Sequence, residues 1–295
     1  MPQSNRNGSR HPLLTLAAGA ICISFAPVFV KMLAAGNMGP TAIAFWRTFI
    51  GAVILFAWSV ARNETLSLQA PVMRWSGLAG FVFFLDLFFW HRSILYAGAG
   101  IATILANTQV FGTAVLSFLI FKERLSLKFF AAALGAVVGV ALLIGLGSHV
   151  ALASNYIRGV VFGLLTGLAY ANYIVTLKLA GHKHRTSFVT LMAWTSLYSA
   201  LFLGVATLIE HDRMAPPDLT ALALLAALAL VAQVLGWWAI SSSLPKIAAS
   251  RSGLTLLLQP VLATVWGVLF FNELLAPMQI VGALFTLAAI YVGSV

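Results

Sequence analysis

Acidic residues and cysteine are the scarcest functional groups in this chain. Asp and Glu together number 7 in 295 residues, charged residues make up 8%, and the one cysteine is Cys22. A single cysteine excludes an internal disulfide and a metal site built from several cysteines. The P-loop, the HExxH zinc helix, the nucleophile elbow and the dinucleotide fingerprint are also missing. We therefore expect no cofactor and no metal.

Apolar residues, in contrast, are abundant. They make up 61% of the chain, and the mean hydropathy is +0.99, whereas an ordinary soluble domain is near half apolar and about 25% charged. The composition predicts an all-α integral membrane protein whose first partner is the lipid bilayer. The net charge of +10 would suggest nucleic acid in a soluble protein, but membrane proteins need basic cytoplasmic loops, so no nucleic-acid partner is expected.

Ten stretches are long and apolar enough to cross a membrane, because a bilayer core of about 30 Å needs about 20 helical residues. The polar residues 1–12 form an expected cytoplasmic tail, and the apolar run that follows is too long for a signal-peptide core, so the first helix is expected to remain. The predicted spans are 13–35, 41–61, 75–96, 101–121, 127–146, 159–179, 188–209, 219–243, 249–271 and 276–294.

Sequence landmarks recur at a spacing of about 150 residues. They predict two halves, 13–147 and 148–295, each with five helices. The repeated pairs are Lys31 with Lys178, Trp46 with Trp194, Trp90 with Trp238, Gln109 with Gln259, Phe121 with Phe271, Glu123 with Glu273, and Leu125 with Leu275.

Basic residues collect on alternate connections between the spans, which predicts that both termini face the cytoplasm. Because five crossings is an odd number, the second half would insert in the opposite direction to the first, which is a common plan of secondary transporters. The richer side holds Arg6, Arg10, Arg62, Arg74, Lys122, Arg124, Lys128, Lys178, Lys183, Arg185, Lys246 and Arg251, and the other holds Lys31, Arg158 and Arg213.

Several polar side chains fall near half depth of the predicted spans. Polar groups in lipid lack water partners, so they should face the bundle interior or a wet cavity. Each one alone is also explained by an interhelical hydrogen bond. The set comprises Ser24, Asp86, Gln109, Tyr170, Asn172, Tyr173, Gln233 and Gln259.

Asp86 is the only carboxylate inside a predicted span. It could carry a coupling proton or bind a substrate amine. It could also form a structural ion pair with Arg47 or with Arg92. Arg47 is expected to stabilise the fold, because a cation inside a membrane needs a permanent partner.

Helical spacing places further candidates beside these polar groups. Asp86, Trp90 and Ser93 share one face, with His91 adjacent, and Gln233, Trp237 and Ser241 share another. Trp90 and Trp238 are repeat mates, so they are expected to form opposing aromatic walls of a substrate site, although aromatic stripes also serve packing and membrane anchoring. The predicted substrate-binding set is Asp86, Trp90, His91, Gln109, Tyr170, Asn172, Tyr173, Gln233, Trp237, Ser241 and Gln259.

Glu123 and Glu273 lie where one helix ends and the next begins. A carboxylate there can accept hydrogen bonds from the free amides at the start of a helix. Both are predicted to be structural caps of the helix that follows.

Four segments resemble the drug/metabolite transporter superfamily, and within it the ten-helix EamA-type carriers. They are FWRTFIGAVILF (45–56), ILYAGAGIATIL (94–105), FKERL (121–125) and LLLQPVLATVWGVLFFNEL (256–274). The first half has Val110 where the second has Pro260, which leaves open whether the fourth helix is kinked like the ninth.

The resemblance implies an inner-membrane carrier that works by alternating access, commonly as an exporter and often driven by protons. The Trp, Phe, Tyr and Gln side chains fit a small neutral or zwitterionic substrate with an apolar side chain, and export of neutral and aromatic amino acids, which also resembles one branch of the family, is the hypothesis. A carrier of lipophilic cations is the alternative, with Asp86 as the cation ligand. An enzyme is disfavoured, because Asp86 and His91 are five residues apart on a helix and point in different directions. A scaffold is disfavoured by the polar side chains near half depth, because burying them without a function would be costly.

Overall fold

The protein folds into helices throughout the residues that can be described. The computed structural model describes residues 12–64, 66, 68–122, 125–143, 154–184, 187–243, 246–247 and 255–294, and within these ranges it contains no strand. The first seven helices are α1 (Pro12–Ser24), α2 (Ala26–Ala35), α3 (Pro40–Ala61), α4 (Ala70–Ala97), α5 (Ala99–Asn107), α6 (Gln109–Phe121) and α7 (Leu127–Leu143).

The remainder of the chain continues in the same way. One stretch is wound as a π-helix, Ala229–Gly236, which we call the π segment. The helices are α8 (Ser154–His184), α9 (Phe188–Ile209), α10 (Leu219–Leu228), then α11 (Trp237–Ser243) after the π segment, α12 (Leu258–Phe271) and α13 (Pro277–Ser294).

Seven helical stretches of the described residues are long and apolar enough to cross a membrane, judged by length and composition: Pro12–Ala35, Pro40–Ala61, Ala70–Ala97, Ala99–Ile120, Ser154–Leu177, Phe188–Ile209 and Leu219–Ser243. Three shorter apolar helices, Leu127–Leu143, Leu258–Phe271 and Pro277–Gly293, fall in the other three predicted spans. The chain is therefore an all-helical, multi-pass membrane protein.

Four of the predicted spans are interrupted, and in the ninth the interruption is a turn at Leu257, directly before α12. The first is interrupted at Phe25, between α1 and α2, where Pro27 lacks the amide that would continue the α-helical ladder. The fourth is interrupted at Thr108, whose hydroxyl donates to the Leu105 carbonyl at 2.6 Å. This span therefore breaks without a proline. The eighth contains the π segment, whose turns are wider than those of an α-helix.

The helices pack in pairs around a common core. α3 packs against α9, α4 against α8, α7 against α13 and α5 against α12, while α1 packs against both the π segment and α11. Phe83, Leu87, Trp90 and Tyr173 belong to the main buried cluster. The core therefore surrounds the middle of α4 and α8, which is where the predicted site residues concentrate.

Gly98 forms the sharp connection between α4 and α5. Its φ of 93° lies in the region that only glycine adopts readily. A Cβ at this position would also lie 2.8 Å from a carboxylate oxygen of Glu273. The glycine thus allows Glu273 to approach the start of α5.

Candidate functional site

A small cavity lies at the centre of the helix bundle, and we call it the central cavity. Its volume is ≈ 40 Å³, which is room for a few water molecules. Its polar lining comprises Arg47, Asp86, Thr103, Asn107, Thr166 and Gln259. Its aromatic lining comprises Phe83, Trp90, Tyr170 and Trp237.

Arg47 on α3 and Asp86 on α4 give the central cavity one cation and one anion. Their side chains are almost fully removed from solvent, with 2% and 7% exposed. Within the described ranges the two do not form an ion pair shorter than 4 Å, and no hydrogen bond to the Asp86 carboxylate is found. Each charge therefore faces the cavity without a direct partner of opposite sign.

The Arg47 guanidinium is held from one side by a chain of hydrogen bonds. Its Nε donates to Gln233 Oε1 at 3.2 Å, and Gln233 Nε2 donates to Ser196 Oγ at 3.1 Å. Gly51 makes room for this arrangement, because a Cβ there would lie 2.6 Å from Gln233 Cγ. The Arg47 Cζ atom lies 5.5 Å from the centre of the Trp90 ring. These contacts orient the guanidinium and leave Nη1 without a hydrogen-bond partner.

Aromatic rings form a continuous wall beside these charges. Trp237 meets Tyr170 and Tyr173 edge to face, with ring centres 5.9 and 5.8 Å apart. Phe83 stacks on Tyr173 at 4.6 Å. Edge-to-face and offset stacking of this kind fixes ring orientation. The wall offers flat apolar surface next to a carboxylate and a guanidinium.

The structure brings five of the predicted site residues to the cavity: Asp86, Trp90, Tyr170, Trp237 and Gln259. Gln233 lies behind them and holds Arg47. The structure also places Asn107, Thr103 and Thr166 on the lining of the central cavity, and the sequence interpretation missed these three residues. The signal for Asn107 was present, since it begins the polar run 107–109 inside an apolar stretch.

The other predicted site residues do not line the cavity. Tyr173 is fully buried behind Tyr170, and its hydroxyl donates to Met192 Sδ at 3.2 Å. His91 is buried and donates from Nδ1 to the Pro40 carbonyl at 3.1 Å. Gln109 accepts from the Thr113 hydroxyl at 2.8 Å, one turn further along α6.

Asn172 and Ser241 also lie elsewhere. The Asn172 amide donates to the Leu168 carbonyl at 2.9 Å on an exposed face of α8. Ser241 is half-buried on α11 and does not reach the lining. Depth in the span suggested Asn172 and helical spacing suggested Ser241, but neither signal fixed which way the side chain points.

Trp238 does not form the wall opposite Trp90. It is 36% exposed and its ring lies 5.6 Å from that of Trp58, while its neighbour Trp237 lines the cavity. Successive residues of a helix point about 100° apart, so only one of the two tryptophans can face inward. The repeat spacing selected the wrong one.

Arg92 is not the partner of Asp86. Its guanidinium forms an ion pair with Glu210 and donates to the Thr41 hydroxyl at 2.9 Å. It also lies over the Phe88 ring, 3.5 Å from its centre. These contacts join α4 to the ends of α3 and α9, away from the central cavity.

Glu273 caps a helix, but not the one that follows it. Its Oε2 accepts from the Ala99 amide at the start of α5 at 2.8 Å, and its Oε1 pairs with Lys31. The start of α13 is instead capped by Gln279, whose Oε1 accepts from the Ala276 amide at 3.0 Å. Glu123, the repeat mate of Glu273, lies outside the described residues.

A second cavity, the vestibule, opens at the end of the bundle where Glu273 lies. Its volume is ≈ 340 Å³, and its polar lining comprises Lys31, Tyr156, Thr264, Glu273 and Gln279. It shares no lining residue with the central cavity.

Comparisons with known proteins point to one family. The chain is 29% identical over 204 residues to a probable amino-acid metabolite efflux pump of Salmonella typhimurium, covering 66% of this chain and 67% of that protein. A protein of the same description in Escherichia coli is 28% identical over 204 residues, with the same coverage. One solved crystal structure shares the fold with a TM-score of 0.65 and 19% identity, covering 95% of both chains.

The EamA-like transporter family model matches residues 11–145 and again residues 157–295. The two matches together span most of the chain and agree with the family resemblance of the sequence motifs. The chain belongs to the EamA-like transporter family.

Proposed function

We propose that this protein is a secondary transporter that exports neutral and aromatic amino acids across the inner membrane by alternating access. The observation that carries the proposal is the central cavity, where aromatic rings surround one buried cation and one buried anion. The family match and the efflux pumps among the relatives support export of small metabolites. Asp86, Trp90, Tyr170, Trp237 and Gln259 form the proposed substrate site.

The proposed architecture is ten crossings arranged as two inverted repeats, 13–147 and 148–295, after a tail of residues 1–12. Helix packing supports it, because the contacts are reciprocal. The third helix of the first half, α4, packs against the first of the second half, α8, and the converse pair is α1 with the π segment and α11. With both termini in the cytoplasm, the vestibule would face outward.

Alternating access also accounts for the size of the central cavity. The cavity is narrow, at ≈ 40 Å³, and we expect its walls to separate when a substrate of the size of phenylalanine enters. The Thr108 break and the π segment lie beside the cavity and give α5, α6 and α11 places to bend. Proton coupling is consistent with this cycle but is not required by it.

The proposal is tested by counterflow. Proteoliposomes loaded with unlabelled phenylalanine should take up labelled phenylalanine or threonine with saturation, and an excess of external phenylalanine should suppress the uptake. Asp218→Asn is the control variant for the carboxylate substitution Asp86→Asn, and it should exchange phenylalanine as the wild type does. Asp218 caps α10 away from the cavity, and asparagine caps a helix as well as aspartate. Repeating the assay with an imposed pH gradient tests proton coupling.

Export of lipophilic cations is the second candidate, favoured by the unpartnered Asp86 among aromatic rings. It predicts saturable movement of labelled tetraphenylphosphonium that Asp86→Asn abolishes and Asp218→Asn does not. Tetraphenylphosphonium transport without any exchange of phenylalanine or threonine would replace the amino-acid proposal with this one.

A further inference from the structure

We propose that Arg47 and Asp86 together bind the two charged groups of a zwitterionic α-amino acid, Arg47 the carboxylate and Asp86 the ammonium. The inference rests on the proposed function and deepens it, because it names the chemical class of the substrate and the two groups that select it. It also gives Arg47 a ligand role in place of the structural role expected from the sequence.

The first argument is that two buried atoms of lining residues, and the Asp86 carboxylate beside them, have no hydrogen-bond partner among the described residues. Arg47 Nη1 and Trp90 Nε1 have no hydrogen-bond partner, and no hydrogen bond to the Asp86 carboxylate is found in the described part of the chain. Buried polar groups are rarely left unsatisfied, since each costs about 1–3 kcal/mol, and charged groups cost more. A ligand with donors and acceptors of its own would satisfy all three.

The second argument is electrostatic. The cavity contains one positive and one negative side chain, both on its lining. A ligand with a single charge would compensate one of them and place its own charge beside the other, which has the same sign. The two side chains sum to no net charge, and a zwitterion keeps that sum at zero while placing an opposite charge beside each of them, whereas a singly charged ligand leaves a net charge inside the membrane.

The third argument concerns the geometry of Arg47. A purely structural ion pair would bring Arg47 and Asp86 into direct contact, yet the guanidinium is held through Nε by Gln233, which Ser196 holds in turn. This bracing fixes the guanidinium, and its buried Nη1 has no hydrogen-bond partner. A planar guanidinium fixed in this way is suited to carboxylate recognition.

The aromatic wall accounts for the rest of the substrate. Phe83, Tyr170 and Trp237 lie on the lining with Trp90, so a ligand held at its two charged groups would lay its side chain against rings. The proposed pocket therefore selects for a zwitterionic head and for an apolar or aromatic side chain.

The test compares three ligands that differ only in the head group. L-phenylalanine carries both charges, phenethylamine only the ammonium, and 3-phenylpropionate only the carboxylate. Binding to the purified full-length protein is measured by tryptophan fluorescence titration. The wild type should bind phenylalanine at least about tenfold more tightly than either analogue.

Each variant should lose the preference for one charged group of the ligand and keep the preference for the other. Arg47→Gln should weaken phenylalanine at least about tenfold while phenethylamine binds no worse than to the wild type. Asp86→Asn should weaken phenylalanine similarly while 3-phenylpropionate binds no worse. Arg47→Lys keeps the positive charge and should recover part of the affinity for phenylalanine. Because the result is a ratio within one sample, partial misfolding affects all three ligands equally.

The outcomes separate the inference from the proposed function. If Arg47→Gln weakens all three ligands equally, or leaves phenylalanine unchanged, Arg47 is structural and the inference is wrong, while amino-acid transport by the wild type stands. If the wild type neither binds nor exchanges phenylalanine or threonine, both proposals are overturned.

Discussion

Asp212 shows how one loop carboxyl is tuned by its surroundings. It lies in the connection between α9 and α10, against the start of α3. Burial and the neighbouring Glu210 carboxylate raise its pKa above the ordinary 3.8, and the amides of Thr41 and Ala42 and the charge of Arg92 oppose that shift without cancelling it. The folded protein therefore holds this proton more tightly than the unfolded chain does.

The sign of the resulting pH dependence follows from linkage. A raised pKa stabilises the folded state fully below 3.8, and the contribution is lost as the pH rises through the higher folded value. We expect the difference in melting temperature, wild type minus Asp212→Asn, to fall as the pH rises from 3.8 through the higher pKa of the folded protein. Thermal unfolding of both proteins in detergent at a series of pH values measures the difference. A difference that stays constant or grows with pH would contradict the assignment.

Two glycines on α7 show where this helix packs closely against α13 and where it makes only ordinary contact. At Gly139 an added Cβ would lie 2.7 Å from the Thr286 backbone nitrogen and 2.9 Å from the Gly282 carbonyl oxygen. At Gly135, one turn earlier, the nearest atom would be the Ala289 Cβ at 3.5 Å. Close approach of α7 and α13 thus depends on Gly139 and not on Gly135.

Gly139→Ala should destabilise the protein by about 1–3 kcal/mol, since backbone atoms of α13 cannot move aside as a flexible side chain could. Gly135→Ala is the matched control and should be neutral or slightly stabilising, because alanine favours the helix over glycine. Unfolding midpoints in detergent compare the two. Equal midpoints for both variants would mean that α7 and α13 pack less tightly than described.

Sequence periodicity was sufficient for the helices but not for their interruptions. Runs of apolar residues predicted where helices lie, and Gly98 and Pro40 marked real boundaries. The Thr108 hydroxyl donates to the Leu105 carbonyl at the interruption of the fourth predicted span, and the π segment packs against α1. Neither contact appears in an apolar pattern. The same limit applies to the prediction of the site residues. Asp86 was found from its depth and Trp90 from its helical spacing to Asp86, whereas the placement of Trp238 and Asn172 depends on the rotation of their helices, which the sequence does not give.

At the scale of the whole molecule, two ion pairs join the predicted halves at the same end. Lys31 pairs with Glu273, and Arg92 pairs with Glu210. At the opposite end the described contacts include a hydrogen bond from the Ser187 hydroxyl to Glu64. The two pairs are therefore placed to hold the vestibule end closed above the central cavity.

Removing both pairs with Lys31→Met and Arg92→Met should open this end. Partly exposed pairs contribute about 0.2–1 kcal/mol each, so the open population should rise about 2- to 30-fold. The reporter is Asn107→Cys in a Cys22→Ser background, labelled in intact cells by a membrane-impermeant thiol reagent. Arg213→Met, an exposed basic residue on the same side, is the matched control. Unchanged labelling of the double variant would show that the pairs do not restrain the opening.

The π segment has a consequence for how related carriers diverge. Its wide turns accommodate one more residue than an ordinary helix of the same length. A homologue lacking a single residue between the positions of Ala229 and Gly236 would wind this stretch as an ordinary α-helix of the same length, so the side chains that follow would keep their directions. Trp237 would still face the central cavity. An alignment gap at this place therefore removes the wide turns and leaves the lining of the cavity as it is.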